Sequence, residues 1–177
     1  MPKSPLLHNQ NSYLRIEFSK QRNPTYNNQW AGVPYRSQVS TMIIEHIAIW
    51  AKDLEKLKDF YCRYFNGKGG EKYINEKKHF QSYFITFESG SRLELMHRPD
   101  ISATSNDNFD KQHLGLTHLA FGVATMKEVD DMAVLLARAG RPILSGPRKT
   151  GDGYYEFETL DPENNRLEVS TLYVNTN

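Results

Sequence analysis

No disulfide can brace this chain, because Cys62 is its only cysteine in 177 residues. Its place beside Phe60 and Tyr61 predicts a buried, inert thiol rather than a reactive nucleophile. No run of about 18 apolar residues occurs, so nothing here is expected to span a membrane. The first residues also lack the apolar segment of a secretory signal, and a reducing, cytoplasmic setting is the expectation. Large charge of either sign is missing too: the net charge is +1 with 24% charged residues. That balance excludes an overall polybasic nucleic-acid binder and fits a soluble globular protein.

Charge is unevenly spread all the same. Residues 1–41 hold five Lys or Arg against one acid, Glu17, whereas residues 42–177 hold 17 basic and 20 acidic side chains. The opening stretch is rich in Asn and Gln and carries Pro2, Pro5, Pro24 and Pro34. Its one alternating run is Leu14-Arg15-Ile16-Glu17-Phe18. It is expected to be an extension with weak local order. Three readings of it stand open: an edge strand or arm, an organelle-targeting peptide, or a start placed too early with Met42 as the working one.

From Met42 the pattern is regular and occurs twice. Residues 43–50 predict a buried strand, and Asp53 caps a helix whose apolar face is Leu54, Leu57, Phe60, Tyr61 and Tyr64, ended by Gly67. Residues 116–123 predict the second copy of the strand. Thr125 and Glu128 form a capping box for a helix with Met126, Val129, Met132, Ala133 and Leu136 on its apolar face, stopped by Gly140. Each helix is followed by a short strand, near 70–73 and 142–144, and then by a hairpin, 80–87 with 92–97 and 154–160 with 166–173. The fold class is therefore α+β, two βαβββ modules. The modules occupy 42–97 and 115–175, joined by a linker at 98–114.

The repeat carries chemistry. His46 and His118 sit in the two first strands, 72 residues apart, and Glu94 and Glu168 in the two last strands, 74 residues apart. A lone His in an apolar strand is ordinarily a hydrogen-bonded core imidazole. Two His and two Glu at duplicated places instead predict one divalent ion, because a carboxylate aimed into a sheet concavity is costly unless paired or metal-bound. Imidazole and carboxylate together suit Zn, Ni, Co, Mn or Fe(II) without choosing among them. The remaining histidines, His8, His79, His97 and His113, fall outside the repeat and are expected at the surface or rim, with His97 or His113 able to line a pocket.

Glu45-His46-Ile47-Ala48-Ile49, Asp59-Phe60-Tyr61, Arg92-Leu93-Glu94-Leu95, Gly115-Leu116-Thr117-His118-Leu119-Ala120-Phe121, and Asp161-Pro162 through Asn165-Arg166-Leu167-Glu168 together resemble the vicinal oxygen chelate superfamily, most closely its glyoxalase I branch. The resemblance implies that the two modules form a curved mixed sheet around a metal cleft, and it implies a homodimer and one metal held by His46, Glu94, His118 and Glu168, with water in the remaining positions. It also implies isomerisation of the hemithioacetal of a 2-oxoaldehyde through an enediolate, with Glu168 carrying the proton and Glu94 as its pseudo-symmetric partner. Arg148 and Lys149 match the family's basic loop around the thiol, although an ordinary solvated loop fits them equally well. Trp50, at the place where the family commonly has an arginine that helps hold glutathione, is expected with them to meet the substrate.

Other members of the superfamily remain as alternatives. An extradiol dioxygenase uses two His and one Glu, against which Glu94 argues. A thiol transferase wants a potassium loop that is not evident, and a binding protein without activity usually lacks the ligands. An epimerase-type proton shuttle is the chemically nearest alternative. A small-molecule substrate, no nucleic acid and no membrane partner complete the expectation.

Overall fold

The computed structural model describes residues 43–102, 111–112 and 114–174. The chain divides at Met42 into two units, and all described residues belong to the second. The expectations for residues 1–41, for His8 and His113 and for most of the linker lie outside the described residues.

In the first module β1 (His46–Trp50) leads into α1 (Leu54–Tyr64), then the short β2 (Lys68–Gly69) and β3 (Tyr73–Asn75), one 3-10 turn, and the hairpin β4 (Phe80–Thr86) and β5 (Arg92–His97). The second repeats the plan with β6 (Leu119–Gly122), α2 (Met126–Arg138), β7 (Ile143–Lys149), β8 (Tyr154–Leu160) and β9 (Arg166–Leu172). Both predicted caps form. The Asp53 side chain accepts from Lys56 N, and Thr125 and Glu128 close a reciprocal box. These bonds satisfy backbone donors that the first helical turn would otherwise leave without partners.

Each module builds one mixed sheet, in the orders β1-β5-β4-β2 (with β3 also on β4) and β6-β9-β8-β7. First and last strands run parallel in each, β1 with β5 and β6 with β9, while the hairpins are antiparallel. The first strands are thus edge strands. Having a neighbour on one side only among the described residues, they are shorter than the apolar runs that encode them: Ile43, Ile44 and Leu116 are exposed outside the ladders. β7 departs the other way and runs through Gly146 and Pro147 to Lys149, where a loop is the sequence expectation. It can do so because it too is an edge strand with register shifts, where a proline costs no ladder bond.

Both helices bury the faces their spacing predicts, Leu54, Leu57, Phe60 and Tyr61 on α1 and Val129, Ala133 and Leu136 on α2. With Ile85, Leu93, Leu95, Phe157, Leu167 and Val169 they form one core cluster that includes both modules. Cys62 is half-buried on the margin of that cluster, a more open position than the sequence predicts. One face of each sheet is therefore taken by a helix, which leaves the other for polar chemistry.

Among the described residues, aromatic and polar contacts join the modules. Phe121 of β6 meets Phe65 at 4.4 Å and Phe87 at 5.4 Å between ring centres. The buried Tyr61 hydroxyl donates to Asp161 Oδ2 at 2.9 Å, while Glu163 Oε1 accepts from the backbone of Lys52 and Asp53 at 3.0 and 2.8 Å. Burial, and then the Asp161 charge, pushes the Tyr61 phenol well above its ordinary range, so it stays a donor. Burial raises the Asp161 carboxyl as well, opposed by the bonds it accepts from Asn165, Tyr61 and Glu163. Tyr61→Phe keeps the ring packing and removes one donor from a buried carboxylate. The expected cost is about 1–3 kcal/mol, read as a lower urea midpoint at constant m. An unchanged midpoint would show that this bond contributes nothing to the joint.

Candidate metal centre

Strand alternation decides which residues meet on the open faces. In β1, Ile47 and Ile49 pack on the core, so His46, Ala48 and Trp50 take the other side. In β5, Leu93 and Leu95 are buried, which puts Arg92, Glu94 and Met96 with them, and the register pairs Ala48 with Glu94. The second module is built alike: Leu119 and Phe121 face the core, Leu167 and Val169 are buried, and Ala120 pairs with Glu168.

His46 Nε2 lies 3.8 Å from Glu94 Oε2, and His118 Nε2 lies 3.5 Å from Glu168 Oε2. Both carboxylates are 16% exposed, and the imidazoles are 40% and 36% exposed. Each pair presents one nitrogen and one carboxylate oxygen at a separation that two ligands of a single ion can adopt, which fits half of a mixed N/O site. Among the described residues no group of three or more His, Cys, Asp or Glu gathers closely enough to hold a metal. The structure therefore brings the four residues together as two pairs, one per module.

The pairs have unlike surroundings. Phe84 stands opposite Glu94 across the β4–β5 ladder, edge-on to the His46 ring at 5.6 Å and with the Arg92 guanidinium 4.0 Å from its centre. His46 Nδ1 bonds the Glu45 carboxylate, which also pairs with Arg92. That bond to His46 lowers the Glu45 carboxyl, against slight burial and with Arg92 assisting. In the second module Glu158 stands opposite Glu168, and like charges across a ladder repel. Arg166 bonds Glu158, and Arg148 pairs with Glu156 at 3.2 Å and with Glu158 at 3.8 Å. The Glu156 carboxyl is raised by burial first and by the Glu168 charge second, with Arg148 opposing.

Glu156, Glu158 and Arg166 are members of this face that the sequence reading did not single out. The alternation in Tyr154-Tyr155-Glu156-Phe157-Glu158 was the available signal, once β8 is registered against β9. The residues expected to meet substrate are dispersed. Arg148 pairs across the ladder with Glu156 and so shares the Glu168 face, whereas Lys149 pairs with Tyr155 on the other face and lies 4.0 Å from the Tyr173 ring centre. Trp50 is on the His46 face, 40% exposed, edge-on to Phe80 and 5.7 Å from the Arg98 guanidinium. His97 bonds the Ala51 carbonyl through Nδ1 and lines a cavity of about 520 Å³ between the α1 N-terminus and Pro162. No helix among the described residues is long and apolar enough to cross a membrane.

Residues 43–169 match the sequence model of the Glyoxalase/Bleomycin resistance protein/Dioxygenase superfamily. A search of curated proteins found no significant match. Solved structures similar to this chain include a glyoxylase/bleomycin resistance protein/dioxygenase domain from Frankia sp., at TM-score 0.62 and 18% identity, covering 75% of this chain and 99% of that one. A trypanothione-dependent glyoxalase I from Leishmania major aligns at TM-score 0.59 and 19% identity, over 75% of this chain and 87% of that one. A glyoxalase family protein from Enterococcus faecalis aligns at TM-score 0.59 and 23% identity, over 73% and 97%. At these identities the likeness supports the fold.

Proposed function

Because the chain belongs to the Glyoxalase/Bleomycin resistance protein/Dioxygenase superfamily, we propose that it is a metal-dependent lyase/isomerase of the glyoxalase I type, acting on the hemithioacetal of a 2-oxoaldehyde. The observation that carries this reading is the duplicated pair: an imidazole and a carboxylate at the same strand positions of both modules, with equal burial of the two carboxylates. His46, Glu94, His118 and Glu168 would hold the ion, and two carboxylates with two neutral imidazoles balance its 2+ charge. A divalent ion held there would supply Lewis acidity to the substrate oxygens and so acidify the adjacent C–H. Glu168 then takes that proton and returns it to the neighbouring carbon, as base and then as acid. Arg148, held by Glu156 and Glu158, borders the same face and orients the substrate.

The site is completed, in this proposal, by a second copy of the chain. Each half-site lies against a strand, β1 or β6, that ends its sheet among the described residues, the kind of edge a partner strand can meet. A two-fold axis then supplies the first-module pair from one copy and the second-module pair from the other.

The test is metal analysis of the purified protein, followed by turnover of methylglyoxal with glutathione and with small uncharged thiols. Protein that carries no divalent ion and binds none on titration would sink the proposal. Trp50 in place of the expected arginine, together with an Arg148 already ion-paired, favours a second reading, an epimerase-type proton shuttle on a substrate with fewer carboxylates. Exchange of solvent deuterium into a 2-hydroxyketone without any thiol would select it.

A further inference from the structure

The two imidazoles are not held alike, and the difference assigns a role to a residue outside the four ligands. Glu45 precedes the first residue of β1, so strand alternation does not force its side chain to the face opposite His46. Its carboxylate instead turns back onto His46 Nδ1. It is fixed twice by one neighbour, since Arg92 N donates to the Glu45 carbonyl at 3.0 Å and the Arg92 guanidinium pairs with the Glu45 carboxylate. Phe84, 4.0 Å below the guanidinium, limits where Arg92 can go.

A carboxylate only accepts, so in the neutral ring Nδ1 is the nitrogen that carries the proton and Nε2 the one that keeps its lone pair. Nε2 is the atom that faces Glu94. The second module has Thr117 in the matching place, with its hydroxyl 3.3 Å from His118 Nδ1. A hydroxyl donates or accepts and selects no tautomer. Arg166, the counterpart of Arg92, reaches across to Glu158 instead.

We propose that Glu45, braced by Arg92, is the positioning residue of the first-module half-site: it locks His46 in the Nδ1-protonated tautomer and makes that half the pre-organised anchor for the metal. The proposal rests on the reading that His46 is a ligand. A ligand imidazole that donates its far N–H to a carboxylate is more basic and better oriented, and losing such a partner costs about 10–100-fold in metal affinity. Because Glu45 is 54% exposed, the low end, about tenfold, is expected here.

The experiment uses the full chain, labelled with ¹⁵N-histidine, in wild-type, Glu45→Ala, Arg92→Leu and Thr117→Val forms. Long-range ¹H–¹⁵N spectra of the metal-free protein read the His46 tautomer, and Zn(II) titration calorimetry reads affinity. Expected are a single Nδ1-protonated His46 in the wild type and a tautomer mixture in Glu45→Ala. Glu45→Ala should also lose Zn(II) affinity about tenfold, with Arg92→Leu in the same direction and Thr117→Val losing less. A wild type that binds no Zn(II) sinks the ligand reading and this role with it. A wild type that binds, alongside a Glu45→Ala that keeps both tautomer and affinity, overturns this role alone.

Discussion

His46→Ala and His118→Ala are each expected to lose metal binding by more than about a hundredfold, because even outer partners of a ligand imidazole are worth about 10–100-fold and in the proposed site these side chains are the ligands themselves. The loss is not a folding defect: both imidazoles are about two-fifths exposed and lie on the sheet faces away from the helices. Mixing the two inactive variants is the more telling result. If each site takes one pair from each copy, a heterodimer carries one doubly damaged site and one with all four residues intact. Random reassociation of equal amounts then restores about a quarter of the wild-type sites. Each variant alone restores none. Calorimetry with Zn(II) or Ni(II) on separately refolded and co-refolded protein measures this directly. Co-refolded protein no better than its parents removes the shared site. Unchanged affinity in both single variants removes the metal reading altogether.

The part of this arrangement that sequence discloses is the part that periodicity encodes. Asp53, Thr125 and Glu128 mark helix starts because capping is a local bond, and the alternation around His46, Glu94, His118 and Glu168 fixes their common face because side chains in a strand change sides at every residue. What depends on contacts between distant segments is not encoded that way. Nothing local announces that Glu163, 110 residues away, accepts from the Asp53 backbone just before α1, or that Tyr61 and Asp161 are partners. The strands illustrate the same limit. The apolar runs at 43–50 and 116–123 overstate β1 and β6, which have one neighbour each, and Pro147 conceals the length of β7 because an edge strand tolerates it. The dispersal of Arg148 and Lys149 to opposite faces follows from that hidden strand. As residues of one loop they read as a joint cation site; as neighbours in a strand they cannot be one.

Glu168→Gln is expected to abolish turnover by about 10²–10⁴-fold, the usual worth of a positioned acid–base group, while retaining more metal than either His variant does. An amide oxygen can still coordinate, but it cannot take a proton from carbon at neutral pH. The two modules assign this role unequally. Glu94 stands opposite Phe84, with no second acid across the ladder. Glu168 stands opposite Glu158, with the buried Glu156 next on the same strand face and two guanidiniums, Arg148 and Arg166, spread over those neighbours. An acid directly across the ladder is thus a feature of the Glu168 position that the Glu94 position lacks. Glu94→Gln should accordingly lose metal affinity to a similar extent and turnover to a smaller one. Loss of solvent deuterium incorporation at the reacting carbon in Glu168→Gln, with metal still bound, is the signature of a missing proton carrier. If Glu94→Gln shows that signature and Glu168→Gln does not, the proton moves through the first module, and the acid cluster opposite Glu168 serves binding instead.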